Sequence, residues 1–222
     1  MKEIKAFIFD LDNTLYDAEV LTEETLKQAI AAMIAAGLKT SLQEGFKTIK
    51  EIIRIDPRKD KFRELTKFFG QEDEKIITAG HERYIEGDFD TLQIFQETKS
   101  VLASLKKKYK LALLSQGSPK QQEKKIEVLG IRPYFDFLFF PMHGQKKEFF
   151  EKAIMQLKVD PHEIFVVGDR IDNEIKIAKS LGMKTARLLH GKYASLKPKE
   201  KNEKADFEIK NLKEILKIVK TY

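Results

Sequence analysis

Cysteine and tryptophan are both absent from this chain of 222 residues, so no disulfide framework can hold it together and a packed core must do so. Long apolar runs are missing as well. The apolar stretch near the N-terminus is short and is interrupted by Asp10 and Asp12, which fits neither a signal peptide nor a membrane span. A soluble, cytoplasmic protein with no membrane partner is expected. A stripe of one charge sign is lacking too. Lys and Arg number 41 against 35 Asp and Glu, a formal charge of +6, but the two signs are mixed almost everywhere. No nucleic-acid partner is therefore expected, and attraction for anionic small molecules is the milder inference. Neither a G-x-x-x-x-G-K-[ST] loop nor a G-x-G-x-x-G turn occurs, which removes two common phosphate-binding devices. No internal repeat is visible. The length suits one large domain or a domain with an insert, and the charged fraction of 34%, rich in Lys and Glu, resembles the composition of a thermophile.

What is present is concentrated first in Phe7-Ile8-Phe9-Asp10-Leu11-Asp12-Asn13-Thr14-Leu15-Tyr16-Asp17. The run from Ala6 to Phe9 reads as a strand buried on both faces, delivering Asp10 and Asp12 to its carboxyl end, where open α/β sheets bind ligands. Two close carboxylates cannot both stay ionised without a partner, and a divalent cation is the economical one. With a metal and a phosphate at hand, one of them becomes available as a nucleophile. Taken alone, the same stretch reads equally as an acidic turn after a strand.

From there to about residue 89 the pattern is helical. Thr22-Glu23-Glu24-Thr25 reads as an N-cap region before Leu26, Ile30, Met33 and Ile34, with Gly37 as the stop. Further helical patterns cover residues 42–53, 62–69 and 72–84, divided by Asp56-Pro57 and Gly70 and closed by Gly87-Asp88. An all-helical block after a first strand has the form of a lid. Arg54, Arg58, Lys59, Lys61 and Arg63 cluster within it, either as solvated turn charges or as a grip on an anionic substrate.

From about Asp90 onward strands alternate with helices, the mark of a parallel sheet. Strands are predicted at 110–114, 137–140, 164–167, 184–188 and 206–209, and helices at 98–108, 119–129, 148–157, 173–181 and 212–219. Right-handed crossovers put the carboxyl ends of parallel strands on one rim. Asp10 and Asp12, then Ser115-Gln116-Gly117, then Gly168-Asp169 are thereby collected, with Lys146 or Lys147 entering from the loop ahead of a helix. Such a set suits a metal-bound phosphate. Asp10, the backbone carbonyl of Asp12, and Asp169 can form a partial Mg²⁺ shell.

On these residues the chain resembles the haloacid dehalogenase-like (HAD) hydrolase superfamily, phosphatase type, with a helical C1 cap. The resemblance spans nearly the entire length and implies an α/β fold, a Rossmann-like parallel-sheet core domain over residues 1–15 and 90–222 with an inserted all-helical cap domain over residues 16–89. Asp10-Leu11-Asp12-Asn13-Thr14 matches the first motif, which implies Asp10 as the nucleophile forming an aspartyl-phosphate and Asp12 as general acid/base. Ser115 matches the second-motif hydroxyl that holds a phosphoryl oxygen; here Gln116 stands where Asn is more usual, and Gly117 completes the motif. Lys146 or Lys147 stands for the third-motif lysine, without the usual following proline, and Lys146 is favoured. Gly168-Asp169 with Glu174 matches the fourth motif; Asp169 is the expected direct metal ligand, and Glu174, where Asp is usual, is expected at most to orient a metal-bound water.

Asp12 separates the reactions open to such a chain. A dehalogenase needs no acid for its halide, whereas a phosphate ester's alkoxide needs one. The expected activity is Mg²⁺-dependent hydrolysis of a small phosphorylated metabolite, of sugar phosphate, phosphoglycolate or glyceraldehyde phosphate type. A phosphomutase, a 2-haloacid dehalogenase-type hydrolase or a non-enzymatic binding module are the alternatives. His81, His143, His162 and His190 are assigned no role, and a monomer or weak homodimer is expected.

Overall fold

In the computed structural model the described residues are 3–56, 59–87, 89 and 92–221. Pro57, Arg58, Asp88 and Asp90, used above as turn, cluster and boundary residues, lie outside them. The chain divides into two compact units, one of residues 1–19 and 92–222 and one of residues 20–91.

The first unit is built on β1 (Ala6–Phe9), β2 (Lys110–Leu114), β3 (Phe137–Phe139), β4 (Ile164–Gly168), β5 (Lys184–Leu188) and β6 (Phe207–Ile209). These form one sheet in the order β3-β2-β1-β4-β5-β6, with every pairing parallel. β1 is central. It is apolar throughout because both of its faces are covered, as parallel strands require. Alternate residues point to opposite faces. On one face Phe7 and Phe9 stack at 5.9 Å between centroids, with Phe165 at 5.5 Å from Phe7. On the other, Ile8 joins Ala112, Leu114, Val166 and Phe150 in a continuous core.

The crossover helices are α5 (Thr98–Lys106), α6 (Pro119–Leu129), α7 (Lys146–Leu157) and α8 (Lys176–Ser180), with α9 (Lys213–Ile218) after β6. α6 has Pro at its start and ends at Gly130 in the left-handed conformation (φ 62°), both favourable choices at those positions. α7 begins at Lys146, two residues before the predicted Glu148. The helix predicted over 173–181 is in fact two pieces: a π-helical turn, Ile171–Ile175, and then α8.

The second unit holds most of α1 (Ala18–Ala35), with α2 (Leu42–Ile55), α3 (Lys61–Phe68) and α4 (Glu74–Glu86). α1 starts before the predicted cap at Thr22. Its start is set by Asn13 in the first unit, whose side chain accepts from the Ala18 amide at 3.0 Å and so does the capping work. Ser41, Asp60 and Asp73 cap α2, α3 and α4. Leu26, Ile30, Met33, Ile49, Phe62, Leu65, Ile76 and Ile77 form a separate core. α4 approaches α1 closely at Gly80, where an added Cβ would lie 2.7 Å from Met33 Sδ. The basic cluster is largely spent on neighbours: Arg54 pairs with Glu51, Lys59 with Glu64, and Arg63 with Glu74, while Lys61 lies 4.1 Å from the Tyr84 ring centroid.

Candidate active site

The backbone just beyond β1 continues the sheet ladder, since the Asp10 amide donates to the Val167 carbonyl at 2.9 Å. Ser115 follows the end of β2 and Asp169 the end of β4, the two strands that flank β1. Parallel pairing therefore brings three segments far apart in sequence to one rim. A fourth arrives from α7. Lys146 is only 4% exposed; its Nζ donates to Asp10 Oδ1 at 3.1 Å and makes a short ion pair with Glu174 Oε1. Lys147 is exposed, so Lys146 is the lysine beside the acids. It enters from the first turn of the helix rather than from the loop ahead of it.

Asp10, Asp169 and Glu174 are all buried and each offers an oxygen within 4.8 Å of the others. Glu174 was expected to act at one remove, yet its carboxylate joins this trio directly. Two features bring it there. The π turn, with the Ile175 amide donating to the Arg170 carbonyl at 3.2 Å, draws residue 174 back towards the strand end. Gly168 then leaves the space it needs, because a Cβ at 168 would lie 2.8 Å from Glu174 Cγ. The Arg170 amide secures Glu174 Oε2 at 3.1 Å.

The electrostatics of the trio are unbalanced. Burial is the main cause that pushes Asp10 up to about 7; Lys146 opposes it, while Glu174 and Asp12 add to it. Burial and then the Glu174 and Asp10 carboxylates push Asp169 up to about 8. Burial lowers the Lys146 ammonium, but Asp10 and Glu174 outweigh it and hold the group above its ordinary value. One ammonium thus faces three carboxyl groups, and Asp169 Oδ2 is buried with no hydrogen-bond partner. Oxygen-only donors, an excess of negative charge and an unused buried oxygen fit a hard divalent cation.

The Asp12 carboxylate lies outside the trio. It pairs instead with Lys125 Nζ at 2.8 Å, with the Tyr16 hydroxyl in a short hydrogen bond, and with Gln122 Nε2 at 3.3 Å. Burial would raise its pKa, but Lys125 above all holds it below the usual carboxylate value. Ser115 Oγ stands 3.5 Å from Asp12 Oδ2. Gln116 contributes its carbonyl to Gln122 at 2.8 Å, and the Gly117 amide is taken by the Pro141 carbonyl at 3.0 Å. The Ser115 hydroxyl remains at the rim. Lys125 and Gln122 were not anticipated. The available signal was a face of α6 on which Gln122 and Lys125 share helical spacing with the buried Ile126 and Leu129. Of the histidines, His81 meets Asp60 at 3.0 Å, and His190 stands 3.4 Å from Asp17.

The chain has counterparts among known proteins. Residues 4–182 match the family described as haloacid dehalogenase-like hydrolase. The chain belongs to that family. Among curated HAD-like relatives, the glyceraldehyde 3-phosphate phosphatase of Methanocaldococcus jannaschii is 35% identical, across 98% of this chain and 97% of the relative. The protein of the same name from Methanopyrus kandleri is 33% identical over the same shares. Among solved HAD structures, a HAD phosphatase from Thermococcus onnurineus matches with a TM-score of 0.70 and 25% identity, covering 97% of this chain and 98% of that one.

Proposed function

We propose that this HAD-like hydrolase is a Mg²⁺-dependent phosphatase of small phosphate monoesters, with glyceraldehyde 3-phosphate as its foremost substrate, acting through a covalent intermediate on Asp10. The observation that carries the reading is the convergence of a buried lysine on Asp10, Oδ1 to Nζ 3.1 Å, at the edge of an acidic trio. The substrate follows from two relatives of that name matched along nearly their whole lengths.

Asp10, Asp169 and Glu174 would hold the cation, which supplies charge neutralisation to the phosphoryl oxygens when bound. Asp10 attacks phosphorus while the ester P–O bond breaks; the arriving phosphate's negative charge opposes the ionisation of Asp12 that Lys125 favours, so that Asp12 takes up a proton from solvent and passes it to the departing alkoxide. Water then attacks the aspartyl-phosphate, gives its proton to Asp12, and inorganic phosphate leaves as Asp10 is restored. Lys146 offsets charge at Asp10 and on the phosphoryl group, and Ser115 donates to a phosphoryl oxygen. The unit of residues 20–91 serves as the cap domain and the rest as the core, an assignment supported by its insertion between β1 and β2.

A panel of phosphorylated metabolites tests this directly. Phosphate release is expected with Mg²⁺, fastest from glyceraldehyde 3-phosphate, and is expected to vanish with EDTA. Turnover of no ester would refute the activity, net isomerisation without phosphate release would make the protein a mutase, and preference for another ester would replace the substrate. Gly168→Ala provides a second check. Displacing Glu174 is expected to weaken Mg²⁺ binding by about 10-fold or more in a calorimetric titration, the size seen when groups supporting a metal site are lost.

A further inference from the structure

We infer that Arg187 is a positioning residue for the metal centre: it holds the Asp169 carbonyl and thereby sets the plane of the Asp169–Arg170 peptide, whose N–H grips the Glu174 carboxylate. This rests on the reading of Asp169 and Glu174 as ligands of the cation given above. Arg187 lies in β5 opposite Gly168 of β4, and it is only 2% exposed. A guanidinium in such a place needs acceptors for its whole fork of N–H groups, since it cannot shed its charge. Nε donates to the Asp169 carbonyl at 3.3 Å. Nη1 donates to the Leu196 carbonyl at 2.9 Å and to Glu208 Oε1 at 3.4 Å, and Nη2 to the Tyr193 carbonyl in a short bond and to the Ala194 carbonyl at 3.4 Å.

The peptide unit after Asp169 is thus fixed at both ends. Its oxygen accepts from Arg187, and its N–H, that of Arg170, donates to Glu174 Oε2 at 3.1 Å. Because a peptide is planar, turning one end turns the other. Donation to the oxygen also polarises the N–H that holds the carboxylate. An arginine present only to close the loop after β5 would use its Nη donors on residues 193, 194 and 196; the Nε bond to Asp169 serves no such purpose. That loop supports the same segment a second time, where the Arg170 guanidinium lies 5.1 Å from the Tyr193 ring centroid and pairs with Asp172 at 2.9 Å. The ion-pair partner of Arg187, Glu208, has a half-exposed side chain, so backbone carbonyls offset most of the charge. Burying a cation is costly and adds little stability by itself, which favours a directing task over a packing one.

Calorimetric titration of the metal-free protein with Mg²⁺ tests the inference. Arg187→Lys keeps a cation that can reach the loop carbonyls but has no donor at the Nε position. Its Mg²⁺ affinity is expected to fall about 10-fold or more, the loss seen when a group that orients a metal ligand is removed. Ile215→Ala serves as the comparison. It removes buried apolar contact under α9, and so lowers the melting temperature without taking away any hydrogen bond of the acidic trio. Its Mg²⁺ affinity should stay near that of the wild type. Wild-type affinity in Arg187→Lys, or an equal loss in Ile215→Ala, would overturn the inference.

Should Arg187→Lys not fold, NMR of the wild-type protein decides the matter. The Nε–H of so buried an arginine is protected from exchange, and on addition of Mg²⁺ its resonance should shift together with that of the Arg170 amide. A shift of the Arg170 amide with the Arg187 Nε–H unmoved would overturn the inference. Failure of the wild type to bind Mg²⁺ in either measurement would refute the metal centre itself, and the inference with it.

Discussion

Asp10→Asn is expected to lower kcat by a factor on the order of 10⁵ or more, the scale seen when an attacking residue is removed from a covalent enzyme. The amide fills the same volume but offers no anionic oxygen to phosphorus. The fold should persist, and in the metal-free protein above neutral pH it should be more stable than the wild type. Asp10 is pushed up to about 7, chiefly by burial, so its ionised form is costly there and a neutral amide relieves that cost. Inactivity combined with a higher melting temperature in EDTA is the expected pair of results. Single-turnover assays should find no phosphoryl-enzyme in the variant, and retained turnover would remove Asp10 as nucleophile.

The second large effect is the dependence of stability on pH and on the cation. Asp10 and Asp169 have folded-state pKa values of about 7 and about 8, against an ordinary value of 3.8 for an aspartate. Between pH 4 and 8 the folded protein therefore binds more protons than the unfolded chain. Stability contributed by these groups is fully present below pH 4 and is lost as pH rises through 7 and 8. A tenfold difference in proton affinity between folded and unfolded chains is worth about 1.4 kcal/mol, so the metal-free protein should lose several kcal/mol across that interval from this site. A bound divalent cation favours the ionised carboxylates and reverses the trend. Thermal melts should show a small gain from Mg²⁺ near pH 5 and a large one near pH 8. A gain that is constant with pH would mean that the cation is not held by these acids.

Lys146 illustrates what could be read from the chain and what could not. The choice between it and Lys147 turned on where α7 begins, and a helix boundary is poorly marked when no proline or capping side chain announces it. With the helix starting at Lys146, that side chain points inward and its neighbour points to solvent, because adjacent helical residues face about 100° apart. The place of Glu174 beside Asp10 and Asp169 was not legible for a related reason. Its distance along the chain from Asp169 is plain, but the π turn that folds it back and the space left by Gly168 are tertiary facts. Asp12 was expected to share a cation because its nearest acid in sequence is Asp10. Its partner in the fold is Lys125, which lies 113 positions away.

The amino-acid sequence by itself determined the order of elements, the parallel sheet, the helical insertion and the segments whose ends carry chemistry. Hydrophobic period and turn residues are local, and they are legible one segment at a time. Only the tertiary structure decided which lysine meets Asp10, which acids form the trio and what holds Asp12. Those choices depend on side chains from distant segments excluding water together, where burial and neighbouring charge set each group's partner and its proton.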